Sequence, residues 1–204
     1  MISAEAQTVL RRRGLRLEYL TVAWNVIEAV VAIGAGLAAG SIALVAFGLD
    51  SLIEVFAASV VIWEFKGDPS EERERLALRL IAVSFFVLAA YVSVEAIRDL
   101  TASSEPDSSL VGIVLSIVSL VVMPVLVLAK RRTGKQLGSA TLMADATETL
   151  LCSYLSAILL GGLLLNSVVS WWWADPLAAL AIAGLAVKEG VEAWHHSGTS
   201  DSRG

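Results

Sequence analysis

Phe47-Gly48-Leu49-Asp50-Ser51-Leu52-Ile53-Glu54 decides how the chain is to be read. Asp50 and Glu54 stand four residues apart inside an apolar run from Ile42 to Trp63. On a helix that spacing puts both carboxylates on one face, about one turn apart. The run is also long enough to cross a bilayer, where an ionisable side chain is costly and is usually kept for an ion pathway. Far downstream a second pair, Glu148 and Cys152, repeats the four-residue spacing in another apolar stretch.

The rest of the composition agrees with a membrane reading. Of 204 residues 56% are hydrophobic and 17% charged, against about 45–50% and 25% in a soluble domain. Repeated apolar runs of about 20 residues then predict an all-α membrane protein. The net charge of −5 says little about partners, because the placement of charges matters more than their total. One cysteine excludes an internal disulfide framework and a Cys-rich zinc module. No small-residue cleavage site follows Arg11-Arg12-Arg13, so no cleaved signal peptide is expected.

Six transmembrane segments can be drawn, at about 17–38, 42–63, 77–100, 109–129, 138–165 and 172–194, making one membrane domain with no soluble domain. Ala39-Gly40-Ser41 is a hairpin tight enough to make the first two segments antiparallel neighbours. Ser70 is placed to cap the third helix, with acids after it. Polar loops are expected at Thr101 to Ser108, Lys130 to Lys135 and Asn166 to Ser170. Fourteen of the fifteen Lys and Arg residues fall on the side of the N-terminus, leaving Arg98 opposite. The positive-inside rule therefore puts both termini in the cytoplasm of a multi-pass protein of the inner membrane. Trp171-Trp172-Trp173 then reads as an outer aromatic belt. Gly34, Gly36, Gly40, Gly161 and Gly162 read as close-packing positions. Asp175-Pro176 opens the last helix, with Asp suited to its dipole and Pro to its first turn.

At about 1.5 Å rise per residue, Asp50, Glu54, Glu148 and Cys152 all fall in the middle of the membrane. Antiparallel packing of the second and fifth segments would bring Glu54 near Glu148 and Asp50 near Cys152. Three carboxylates and a thiolate suit a divalent metal of borderline character. Helix-to-helix hydrogen bonding is the bland alternative for the acids, and a small buried hydrophobe for Cys152. Asn25 and Glu28, three apart in the first segment, are weaker ion-pathway candidates, with hydrogen bonding in the bundle as their alternative. Asp145, one turn nearer the cytoplasm than Glu148, is another, at an inner vestibule or as a local cap. Glu95 and Arg98 can pair with each other near the outer end of the third segment.

Gly40-Ser41-Ile42-Ala43-Leu44 followed by Gly48 to Glu54 resembles the second helix of the cation diffusion facilitators. Ala144-Asp145-Ala146-Thr147-Glu148 with Cys152 and Ser153 resembles that family's fifth helix, and Trp173-Ala174-Asp175-Pro176-Leu177 the start of its sixth. The resemblance covers nearly the whole chain. It implies a six-helix homodimer that exports divalent metal, commonly zinc, in exchange for protons. By position, Asp50 and Glu54 take the second-helix ligand places and Glu148 and Cys152 the fifth-helix ones. The usual His-and-Asp pair of the fifth helix has become Glu and Cys, which opens the metal to zinc, iron, cobalt, cadmium or manganese. The cytoplasmic C-terminal domain usual after the sixth helix is not expected here. In this the chain is similar to a short bacterial branch akin to the vertebrate synaptic-vesicle zinc transporters.

The expectation is an antiporter that carries its metal as cargo and needs no cofactor. Its partners would be the lipid bilayer, the metal ion, protons and a second copy of itself through the membrane helices. An importer or channel with the same site, and a non-transporting membrane scaffold, are the alternatives. An enzyme is not expected, since no His lies inside a membrane segment to serve a Cys–His or Ser–His pair. Nucleic-acid binding is not expected either, because the basic residues are spread as topology signals.

Overall fold

The structure, a computed structural model, describes residues 4–66, 71–102, 107, 109–169 and 171–199. They form α1 (Ala4–Ala39), α2 (Ile42–Lys66), α3 (Glu71–Ala102), α4 (Leu110–Leu137), α5 (Ala140–Val169) and α6 (Ala174–Thr199). No strand occurs among the described residues. The all-α fold expected from the apolar runs is the fold found.

Helix α1 lies along α2, α4 along α5, and α3 along α6. Contacts of α1 with α4 and of α2 with α5 join the first two pairs into a four-helix group. The α3–α6 pair sits against that group through α2 and α5. Cross-contacts fix the antiparallel sense. Lys66 at the end of α2 lies over the Tyr19 ring of α1 at 5.3 Å, and Arg79 of α3 over Trp194 of α6 at 6.0 Å. Both contacts fall at the end of the bundle where α1 begins, called here the terminal end.

The opposite, far end is stitched by hydrogen bonds. Gly40 takes φ 66°, a left-handed conformation that a glycine adopts without steric cost, and so ends α1. The Ser41 amide reaches back to the Gly36 carbonyl at 3.0 Å. The Ser41 hydroxyl accepts from the Leu44 amide at 3.1 Å, capping α2. Asp175 completes this cap from α6. Ser41 Oγ donates to its Oδ1 at 2.5 Å and the Ala43 amide to its Oδ2 at 3.2 Å. Asp175 does open α6, but its carboxylate serves the N-terminus of α2 rather than its own helix. The Asp107 amide joins the same end through the Ala39 carbonyl at 2.8 Å.

Lipid tails are as apolar as leucine, so buried apolar area alone cannot hold such helices together; close packing must. The core accordingly mixes small residues such as Ala32, Ala43, Ala46 and Ala179 with Phe47 and Met123. Gly48, inside the deciding stretch, shows how tight this is. A Cβ there would stand 2.7 Å from Ile33 Cγ1 and 3.0 Å from the Ile33 backbone nitrogen. Gly36 and Gly162 are equally close to Val45 and Ala178, whereas Gly34 and Gly161 face open space and Gly40 serves the turn. Val30, Leu37, Val121 and Leu128 point outward, as lipid-facing side chains do. Among the described residues four stretches are long and apolar enough to cross a membrane: Glu5–Ala39, Ile42–Lys66, Leu110–Leu137 and Asp145–Val168.

The helices run past the apolar runs in several places. α1 starts well before residue 17, because its arginines are good helix formers once clear of the lipid. Lys130 to Lys135 is not a loop; α4 continues to Leu137 and stops at Gly138 with φ 69°. The expected turn from Asn166 is helical as far as Val169. Thr101 and Ala102 still belong to α3. The proposed Ser70 cap and most of the Thr101 to Ser108 loop lie outside the described residues. Glu95 and Arg98 do pair, at 2.7 Å. Trp171 and Trp173 stack with centroids 4.9 Å apart at the far end.

Candidate functional site

Asp50 and Glu54 project from one face of α2, and Glu148 and Cys152 from one face of α5. All four line a single cavity of about 20 Å³, space for one water molecule or one largely dehydrated ion. Its walls are apolar: Ile53 of α2, Phe85 of α3, Leu151 and Leu155 of α5, and Leu185 and Ala186 of α6. The antiparallel convergence expected of these helices is therefore present. Among the described residues, however, no three His, Cys, Asp or Glu side chains already stand in a metal-holding group. The four share a cavity, and gathering them round one ion requires side-chain movement.

Glu54 is the most telling member. Only 6% of it is exposed, and neither carboxylate oxygen has a hydrogen-bond partner. Buried polar groups are nearly always paired, and a buried carboxylate without a partner is costly. Cys152 is free and buried beside it in the cavity wall.

A fifth side chain reaches the cavity that the sequence reading had not singled out. Glu189 of α6 lines it, is 8% exposed, and has its Oε1 without a hydrogen-bond partner. Flanked by Lys188 and Glu192 near the end of its helix, it looks in sequence like part of a solvated tail.

The weaker candidates lie elsewhere. Glu28 is fully buried and bound on both oxygens. Ser51 of α2 donates to Oε2 at 3.1 Å and Ser119 of α4 donates to Oε1, so Glu28 ties three helices. Asn25 donates to the Thr21 carbonyl of its own helix at 3.0 Å. Neither lines the cavity.

Asp145 belongs to a second buried cluster toward the terminal end. Lys130, with 0% of its side chain exposed, donates to Asp145, to Glu18 at 3.2 Å and to the Thr149 hydroxyl at 3.2 Å. Glu18 is 0% and Asp145 3% exposed. Asp145 is thus neither a helix cap nor a wall of the cavity; it is half of the counter-charge for a buried lysine. Lys130 reads in sequence as one of a run of topology charges, yet it points into the bundle and binds α1, α4 and α5 together. Glu18 had no signal of its own, since its partner lies 112 residues away.

These features define a class: a helical, multi-pass membrane protein with an acidic cavity inside it. Residues 19–198 match the cation efflux transmembrane domain. The chain belongs to the cation efflux family, whose members are transporters and not enzymes, and it is accordingly a metal-cation transporter. It is 24% identical over 192 residues to transmembrane protein 163 of Xenopus laevis, covering 92% of this chain and 68% of that one. It is 26% identical over 175 residues to an uncharacterized transporter of Synechocystis, covering 76% of this chain and 56% of that one.

Proposed function

We propose that the protein is a proton-coupled exporter of divalent transition metal, zinc first, with Asp50, Glu54, Glu148 and Cys152 as its ion-binding side chains. The observation that carries this is the convergence of all four on one cavity, with both Glu54 oxygens free of partners. Three carboxylates and a thiol can replace much of the hydration shell of a borderline cation, which a dry apolar wall alone cannot do. Iron, cobalt, cadmium and manganese meet the same donors with affinities set by geometry and supply.

In this reading all six helices cross the inner membrane and both termini are cytoplasmic, following the positive residues at the terminal end. With the cavity open to the cytoplasm, the deprotonated side chains gather round the cation. With the cavity open to the far side, protons compete for the same oxygens and sulfur, so metal leaves as protons enter. The α3–α6 pair and the four-helix group meet at this cavity and are the two bodies whose relative movement would switch access. Dimerisation through membrane-facing helix surfaces completes the reading.

Purified protein in liposomes tests it. Zinc uptake into vesicles with an acidic lumen should occur with the native chain and be lost with Asp50→Ala. It should also collapse when the pH gradient is dissipated. Undiminished uptake by Asp50→Ala removes the cavity from the mechanism, and indifference to the gradient turns the reading toward a channel.

A further inference from the structure

The sequence places its four metal-ligand candidates on α2 and α5, and its weaker ones on α1 and α5. The cavity is nevertheless closed on its third side by α6, through Leu185, Ala186 and Glu189. Glu189 is the only acid of that wall. A carboxylate whose side chain is only 10% exposed, on an apolar wall beside two other acidic helices, is costly unless it has a cation to bind. Lys188 supplies only a long ion pair, shared with a second acid. Its Nζ lies 3.8 Å from Glu189 Oε1 but 3.3 Å from Glu192 Oε1, one turn on, and the lysine is well exposed.

Its depth is informative too. α2 and α6 both begin at the far end of the bundle, where Asp175 caps α2. At 1.5 Å per residue Asp50 lies about 12 Å and Glu54 about 18 Å along α2, whereas Glu189 lies about 22 Å along α6. Glu189 therefore lies further from the far end than either acid of α2.

We propose that Glu189 is a further cation-binding side chain of this transporter, a carboxylate from α6 that helps hold the divalent ion against the α2 and α5 groups. This rests on the four-residue cavity being the ion site. It adds a consequence that an α2–α5 site lacks: the ion is gripped by both bodies of the molecule, so binding it draws α6 toward α2 and α5. A further unit charge in a low-dielectric cavity also raises the local cation concentration, an effect on the order of tenfold or more.

The test uses full-length protein in liposomes, with zinc alone as the probe. Initial uptake rates against zinc concentration are compared for the native chain, Glu189→Gln, Glu189→Asp, Lys188→Met and Asp50→Asn, with zinc binding by calorimetry on the same preparations. Glu189→Gln should raise the KM about tenfold and weaken binding in parallel, while Glu189→Asp recovers most of the loss and Lys188→Met changes little. A structural role would not be rescued by the shorter acid with such dependence on charge. If Glu189→Gln fails to fold, Glu189→Met takes its place: a native KM in that variant, or a loss in Lys188→Met equal to that of a missing carboxylate, overturns the proposal. Native KM and affinity in a folded Glu189→Gln overturn it as well. When Asp50→Asn abolishes binding and Glu189→Gln does not affect it, only the role of Glu189 fails; when Asp50→Asn binds zinc normally, the cavity reading itself fails.

Discussion

Two buried acidic clusters lie one above the other in this bundle, and they differ in whether their charges are answered. At the terminal end Lys130 meets Glu18, Asp145 and Thr149, and joins α1, α4 and α5. Nearer the middle, Asp50, Glu54, Glu148 and Cys152 border a cavity with Glu189, and neither Glu54 oxygen has a hydrogen-bond partner. The residue types are nearly the same. The first cluster carries its own cation and holds the fold; the second lacks one and is built to take it from outside.

That contrast predicts opposite responses to mutation. The largest effect belongs to the cavity: Asp50→Ala or Glu54→Gln should reduce zinc transport at least a hundredfold in liposomes while the protein stays folded. The next belongs to the lysine cluster. Lys130→Met leaves two buried acids without their counter-charge and should cost about 3–5 kcal/mol, read as a large fall in melting temperature. Adding Glu18→Gln and Asp145→Asn to it should return most of that stability, because a buried ion pair is often replaceable as a whole. If the triple variant remains as unstable as Lys130→Met, the cluster does more than neutralise charge.

A smaller effect of the opposite sign sharpens the comparison. Glu54→Gln removes a buried carboxylate that has no hydrogen-bond partner and should raise stability by about 1–3 kcal/mol even as transport is lost. A melting temperature that falls would mean that Glu54 is bound to something structural in the native protein. Smallest of all, Asp175→Asn weakens the shared cap of α2 and should cost about 1 kcal/mol with transport largely retained.

The fold was legible because bilayer thickness forces long apolar runs, and helices are what such runs become. The pairs Asp50 with Glu54 and Glu148 with Cys152 were legible because a spacing of four is a statement about one helix face. What hid was whatever depends on a distant partner. Lys130 sits beside Arg131 and Arg132, and only Glu18, brought up by packing of α1 on α4, turns it inward. Asp175 follows the rule for its own helix start, and its true partner is 132 residues away on α2. Glu189 is disguised by charged neighbours one residue before it and three after, which do face outward. Expected helix ends fell short for a related reason: hydropathy marks where lipid begins, and the backbone continues helical beyond it.

The most direct measurement is anomalous diffraction from crystals soaked in zinc. One peak in the cavity, within bonding distance of side chains from both α2 and α5, is the result expected. Zinc found only on the surface, with the cavity side chains still apart, would contradict the claim that this is where the transported ion binds.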